Sequence, residues 1–493
     1  VEAIFSIKPA LAVGVSLAAV GPIVLSARRQ NMREAWTLIA AVIKLTIVVS
    51  MLPTVLSGKV ITCSLVRILP GMEIAFRVDA FGSLFALVAS SLWIVTSLYS
   101  VGYMRGLDEH SQTRYFCFFA IALSSTLGVA FSANLLTMYL FYEILSLSTY
   151  PLVTHHQDTE ARSSGRTYLF YLVGASIGLL LPAMLIAYNQ AGTLTFGPQG
   201  FLSGKVSSGL TLALLIMMIF GFAKVGMMPL HSWLPAAMVA PTPVSALLHA
   251  VAVVKVGAFC VVRVITNVFG TELLQSLDYG TILLWLASFT ILGSSLIALT
   301  QDELKRRLAF STIGQLSYIV LGVALLSPKG MVGGMLHIAM HAFGKITLFF
   351  CAGAIYVATH KKNVSQMVGI GKRMPLTMSA FFVGALSVIG LPPGGGFISK
   401  WYMALGAIQA DKIAALVVLL VSSILNAAYF LPIVYRAFFC QPEESMFENK
   451  VREAPFWCVA PLTVTAALSI VLFFYPQPFL RLAEMTVRYL LGG

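Results

Sequence analysis

The chain has 493 residues, of which 58% are hydrophobic and only 10% are Asp, Glu, Lys or Arg, with a net charge of +13 and a mean hydropathy of +0.88. A soluble chain carries about 25% charged residues, so this composition excludes a soluble enzyme and points to an integral membrane protein. The basic excess has no basic-aromatic module beside it, which excludes a nucleic-acid partner.

The first apolar run, Ile7 to Leu25, follows no basic segment and no small-residue cleavage site, and reads as a retained span rather than a signal peptide. A span needs about 20 predominantly apolar residues, fewer where a helix is broken. Spans are predicted near 7–26, 34–55, 79–101, 114–131, 134–153, 166–188, 208–228, 242–266, 279–300, 306–326, 331–358, 376–398, 412–437 and 456–475. The fold class is an all-α polytopic membrane protein of about fourteen transmembrane helices. The longest polar connection, Arg436 to Glu453, is too short for a soluble domain. Cys63, Cys117, Cys260, Cys351, Cys440 and Cys458 form no CxxC pair and sit in or beside apolar runs, so they read as small hydrophobes.

The connections sort by charge. Arg28, Arg29 and Arg33, Arg105, Arg162 and Arg166, Lys305 to Arg307, Lys361, Lys362, Lys372 and Arg373, and Lys450 with Arg452 all fall on one side. The positive-inside rule makes that side cytoplasmic and puts both termini on the outer side.

The chain also resembles itself. Asn134 to Glu143, continuing to Ser148-Thr149-Tyr150, aligns with Asp302 to Ser311, continuing to Leu316-Ser317-Tyr318. Gly165-Arg166, Leu169-Phe170 and Gly174-Ala175 match Gly344-Lys345, Leu348-Phe349 and Gly353-Ala354. Each unit then reaches an interrupted segment, Lys224 to Pro229 in the first and Gly390 to Gly396 in the second, with Trp233 and Trp401 just beyond. The economical division is an N-terminal three-helix segment (1–113), a first repeat (114–266, helices 4–8), a second repeat (279–437, helices 9–13) and a loop with helix 14 (438–493). Five helices per unit make the repeats inverted, with helices 7 and 12 broken, a pattern that points to a transport path near the midplane. Chance similarity between hydrophobic stretches is the alternative.

A charge deep in a bilayer costs at least about 2.5–3.5 kcal/mol, so each one needs a reason. Among the acids, Glu143 alone sits well inside an apolar span; Lys44, Lys224, Lys255 and Lys345, together with His249, His337 and His341, also lie at membrane depth, and Lys400 follows the second break. The spacing of His337, His341 and Lys345 stacks them on one helix face at a rise of about 6 Å per step. Burial lowers a lysine's proton affinity and a nearby carboxylate raises it, so a Glu/Lys/His series joined by water is what a proton relay requires. For Lys44 and Lys8 snorkelling is the favoured reading. Glu143 and Lys224 could alternatively form a static ion pair, and His231 is as readily a helix-end residue as a functional one. His337 and His341 lack the glutamate of a zinc HExxH motif and any evident third ligand, which disfavours a metal. His155 and His156 are expected to be solvated.

The run His231-Ser-Trp-Leu-Pro235, then Ala240-Pro-Thr-Pro-Val-Ser-Ala-Leu-Leu-His249 and Val254-Lys255-Val-Gly, resembles the antiporter-like subunits shared by respiratory complex I, Mrp-type cation/proton antiporters and membrane-bound hydrogenases. The resemblance covers roughly 75–440. It implies fourteen core helices and proton transfer along a hydrated central axis, in which Glu143 pairs with and tunes Lys224. Lys255, His249, His337, His341, Lys345 and Lys400 would continue the relay. Ser311 stands where the repeat would place a second Glu143, so the halves are not chemically equivalent. The resemblance further implies other membrane subunits as partners, including further antiporter-like ones, with a peripheral redox arm or Mrp components, in an energy-coupling membrane. No nicotinamide, flavin or cluster motif occurs, so no cofactor is expected in this chain and any redox chemistry belongs to its partners. The chain stops near Gly493 and is expected to be a compact member. The competing reading is a Na+ or K+/H+ antiporter, stand-alone or of the Mrp type, and a structural subunit with a vestigial path is a third.

Overall fold

The computed structural model describes residues 2–69, 72–441 and 452–492; Lys450 lies outside them. Among the described residues, eleven helices are long and apolar enough to cross a membrane: α1 (Lys8–Leu25), α2 (Gln30–Leu56), α3 (Ala80–Gly106), α4 (Gln112–Ala130), α6 (Thr159–Ala191), α8 (Thr242–Phe269), α9 (Tyr279–Thr300), α10 (Leu304–Ala324), α11 (Pro328–Thr359), α13 (Ile413–Phe439) and α14 (Phe456–Phe474). Between them lie α5 (Leu135–Val153), which carries Glu143, and two interrupted helices, α7 and α12. The chain is thus a mostly helical, polytopic membrane protein with the two expected breaks.

The most apolar stretches of α8 and α11 are completely buried, and that of α10 is 94% buried, whereas α1, α2, α6 and α13 bury only a third. Helices apolar all round but one-third covered face lipid, and the fully covered ones are the core. Exposed Phe170, Trp285, Phe289 and Ile424 mark the lipid-facing flank.

The α7 helix runs Ser208–Gly221, is interrupted, and resumes at Trp233–Ala236; Lys224 sits in a single turn, Ala223–Val225, inside the interruption. Core helix α8 presses on that turn: a Cβ on Gly257 would lie 2.3 Å from the Val225 nitrogen, so only glycine allows this approach. The α12 helix runs Pro375–Ile389 and Gly396–Gln409. Gly390 closes the first half at φ +88°, and a Cβ there would meet the Lys400 side chain at 2.5 Å. Both breaks therefore place a lysine against glycine-thinned backbone.

Two elements lie outside the helical reading. A three-stranded sheet joins β1 (Ala3–Phe5), parallel to β2 (Val60–Leu69), which pairs antiparallel with β3 (Met72–Val78). After α14 comes α15 (Gln477–Leu490), whose apolar face, including Phe479, Leu482 and Val487, packs on α11 and α3. The sheet, α15 and the connections near 132, 195 and 270 gather at one end of the bundle, the sheet end. At the opposite, loop end, Glu303 bridges to Asn363 and Lys305 donates to the Ala240 carbonyl at 2.6 Å.

Ion pairs fasten each end. At the loop end Arg105 donates to Glu34, which is 5% exposed. At the sheet end Arg263 pairs with Asp79 at 2.6 Å, and Asp79 also accepts from the Gly82 amide, capping α3. Burial alone would raise the Asp79 carboxyl, but Arg263, Arg77 and the Gly82 amide together outweigh it and hold the group below the usual carboxylate range. Removing one partner of a buried pair strands the other, so Arg263→Leu is expected to destabilise the protein by about 3–5 kcal/mol. The double variant with Asp79→Leu should recover part of that loss in thermal unfolding; additive losses would show that the pair is not coupled.

Two expectations are corrected. Lys44 does not snorkel: it is fully buried, donating to Ser16 Oγ at 2.6 Å and the Leu123 carbonyl at 3.0 Å, with its ammonium 4.9 Å from the Trp93 ring centroid. Nor is His155 solvated: it is fully buried, stacked on His110 at 4.8 Å, with Glu109 3.7 Å away and His156 and Arg114 beside it. Burial, reinforced by His110, His156 and Arg114, pushes the His155 imidazole down to about 3. The unfolded chain takes this proton as pH falls through the ordinary histidine value near 6.5, and the folded chain does so only near 3. Stability is therefore fully present above about 6.5 and lost progressively below it, by roughly 2 kcal/mol on going from pH 7.5 to 5. His155→Phe should flatten the fall in melting temperature over that interval; an unchanged slope would show that His155 does not set it.

Candidate functional site: a buried lysine–histidine axis

Four clusters of polar side chains hold the sequence-predicted lysines and histidines at membrane depth other than His249 and Lys44. In the first, the Lys224 ammonium donates to the Tyr142 carbonyl at 2.9 Å and Ser146 Oγ at 2.6 Å, and lies 3.0 Å from the Tyr142 ring centroid. The Lys224 backbone nitrogen donates to the Tyr142 hydroxyl at 3.2 Å. The break in α7 is what lets Lys224 turn toward α5.

Glu143, by contrast, makes no ion pair with Lys224 within 4 Å; it is half-buried on the flank of α5, bonded to Ser176 through one oxygen, with Oε1 unpaired. Adjacent helical residues point about 100° apart, so Tyr142 faces the core and Glu143 faces α6. Ser176 opens a π-helical turn, Ser176–Leu180, within α6. The expected direct pair is thus replaced by a carbonyl and a serine.

The second cluster sits at the centre. Lys255 Nζ and His341 Nδ1 are 2.7 Å apart, joining α8 to α11. The rings of His341 and His337 lie 5.6 Å apart, and His337 continues to Ser399 Oγ at 2.7 Å through Nδ1 and to Gln315 Oε1 at 3.1 Å through Nε2. A 2.7 Å nitrogen–nitrogen contact requires one partner to offer a lone pair, so Lys255 and His341 are arranged to share a proton between them.

In the third, Lys345 donates to Ser311 Oγ at 2.8 Å and the Leu308 carbonyl at 3.2 Å. In the fourth, Lys400 donates to the carbonyls of Val388 and Ile389 at 3.0 and 2.9 Å, and its ammonium lies 4.4 Å from the Tyr318 ring centroid. His249 belongs to none of these bonded groups: it occupies a π-helical turn of α8, Leu247–Val251, against Phe349, with both ring nitrogens unpaired.

Thus Lys224, Lys345 and Lys400 share one design, in which carbonyl and serine oxygens rather than carboxylates receive the ammonium. Sequence reading found the lysines and histidines but missed Tyr142, Ser146, Gln315 and Ser399; Ser311 appeared only as a missing glutamate. Serines in apolar helices carry no strong signal, although Ser399 precedes Lys400 directly. Among the described residues, no group of three or more His, Cys, Asp or Glu side chains is placed to hold a metal.

At the loop end, a cavity of about 470 Å³ opens beside the start of α8, lined by Glu109, Glu160, Thr242, Glu303, Lys305 and Lys362 among others. His249 lies two turns further along the same helix.

Fold and site together define an antiporter-like membrane subunit, a polytopic helical protein with broken helices facing a buried basic axis. Residues 132–426 match the family described as NADH:quinone oxidoreductase/Mrp antiporter, transmembrane, and the chain belongs to it. It is 35% identical over 367 residues to NADH-quinone oxidoreductase subunit N of Desulforudis audaxviator, covering 72% of this chain and 71% of that one. It is 32% identical over 423 residues to Hydrogenase-4 component B of Escherichia coli, covering 81% of this chain but 62% of that one. The fold is similar to a chain in the structure of the Mrp complex from Dietzia sp. DQ12-45-1b, with a TM-score of 0.87, 23% identity and 98% coverage of both chains.

Proposed function

We propose that this chain moves protons across an energy-coupling membrane as one subunit of a larger complex, along Lys224, Lys255, His341, His337, Lys345 and Lys400, with Glu143 modulating Lys224 from the flank. The observation that carries this reading is the Lys255–His341 contact, which links the two halves through groups able to exchange a proton. The unpaired nitrogens of His249 and of His341 Nε2 support it, since a buried polar atom without a partner costs about 1–3 kcal/mol and is satisfied by water in a hydrated path. The loop-end cavity supports uptake there, through the neighbourhood of Lys305 and His249. The basic residues at that end support a cytoplasmic orientation, with the termini on the opposite side. The division into two inverted five-helix repeats rests on the matched breaks at Lys224 and Gly390.

Redox partners are part of this reading: the similarity to subunit N and to Hydrogenase-4 component B supports a membrane subunit whose driving reaction is carried elsewhere. The test is proton uptake by proteoliposomes. The assembled complex should acidify the vesicle lumen when its electron donor is supplied. If the purified chain alone exchanges Na+ or K+ for protons at a comparable rate, this reading falls and the antiporter reading replaces it.

A further inference from the structure

The sheet end holds a cavity of about 570 Å³ between α2, β3, the end of α8 and α15. Five basic residues line it, Lys59, Arg77, Arg263, Arg481 and Arg488, against two acids, Asp79 and Glu484. Asp79 is taken by Arg263, and Lys59 pairs with Glu2. Among the described residues, no carboxylate lies within 4 Å of Arg77, Arg481 or Arg488. Arg263 is 97% buried, since its exposure is 3%, yet its Nε has no partner; buried Arg77 Nε has none either. Val55, Leu56 and Leu490 supply an apolar margin.

The position of α15 sharpens the chemistry. Its apolar face is buried against α3 and α11, while Gln477, Arg481, Glu484 and Arg488, spaced four, three and four residues apart, line the cavity. It follows α14 after two residues, at the depth where a membrane helix leaves the hydrocarbon. Arg77 already donates to the Phe196 carbonyl at 3.1 Å and the Tyr489 hydroxyl at 2.9 Å, whereas the exposed Arg481 and Arg488 have no carboxylate within 4 Å among the described residues. A cleft lined by such guanidinium groups with an apolar margin matches a phosphate diester carrying acyl chains. Arginine forks hold phosphate oxygens well, and each basic residue near a membrane surface contributes to anionic-lipid binding.

We propose that this cleft binds the phosphate of an anionic phospholipid, held by Arg481 and Arg488 of α15 with Arg77 of β3, so that a lipid fastens the C-terminal helix to the sheet. The chemistry shared with free inorganic phosphate is the phosphate oxygens; the apolar margin favours the lipid.

The test uses the purified full chain in detergent, with native mass spectrometry reading bound phosphatidylglycerol against phosphatidylcholine. Wild type should retain phosphatidylglycerol selectively. Arg481→Gln/Arg488→Gln should weaken that retention about 30-fold, roughly fivefold for each basic residue removed. Both side chains are exposed, and unchanged melting of the variant in phosphatidylcholine would show that its fold persists. Equal retention of phosphatidylglycerol by the variant, or equal retention of both lipids by wild type, overturns the proposal. Displacement of the lipid by an equal concentration of inorganic phosphate overturns the assignment to a lipid.

Discussion

Lys224→Ala is expected to stop proton movement through the first half of the chain while leaving the protein assembled. The ammonium is received by one carbonyl, one hydroxyl and one aromatic face, with no carboxylate in contact. Hydrogen bonds to a charged group are worth about 1.5–3 kcal/mol each. Losing one such bond at the barrier lowers a rate by about 10- to 150-fold, at 1.36 kcal/mol per tenfold. Alanine removes the proton carrier as well as its bonds, so the loss should reach the upper end. Lys224→Arg should not rescue it, because a planar, permanently charged fork neither fits a single hydroxyl and carbonyl nor releases its proton. Ser146→Ala, which removes one acceptor and leaves the amine, should lie near the lower end. Glu143→Gln should alter the rate less than Lys224→Ala, since Glu143 makes no direct contact with the lysine. Proton uptake by proteoliposomes containing the assembled complex distinguishes these. If Glu143→Gln and Lys224→Ala are equally inactive, the two act as one bonded unit and the geometry described for them is wrong.

How far the sequence could be read followed what each kind of signal reports. Long apolar runs report length and depth, so α9 spans Tyr279–Thr300 where 279–300 was expected. The α6 helix begins at Thr159 rather than near 166 because its polar first turns extend beyond the hydrocarbon, capped by the Asp158 side chain on the Ala161 amide. The sheet escaped notice because β2, VITCSLVRIL, is too short to span, and its pairing with β1 joins residues nearly sixty positions apart. The α15 helix is amphipathic and 14 residues long, which no search for spans detects. Depth, moreover, is not direction. Lys44 was recognised as a membrane-depth lysine, but only packing shows it turned inward onto Ser16 and Leu123. The same limit explains Glu143 and Lys224: both lie at membrane depth, but whether Glu143 is turned toward Lys224 depends on the rotation of α5 in the bundle. The histidine face was legible because three residues four apart fix their own relative direction.

Lys255→Met carries the second large effect, and it separates a relay from a scaffold. Methionine keeps the volume and the apolar stem, so the fully buried α8–α11 interface should stay packed and melting should change little. The loss falls on His341, whose Nδ1 is left without its partner 2.7 Å away. If the centre joins the two halves, proton uptake should fall by about 10- to 150-fold, the same free-energy range as at Lys224. His341→Gln completes the argument. An amide can still accept from the Lys255 ammonium, but it cannot take up and pass on a proton at neutral pH, so it preserves the contact and removes the transfer. Under a scaffold role His341→Gln should behave as wild type and Lys255→Met should be unstable. Under a relay role both should be stable and both inactive, with partner turnover slowed or uncoupled. Wild-type proton uptake in a stable His341→Gln variant would remove His341 from the path, and with it the only direct bond found between Lys255 and the α11 histidines among the described residues.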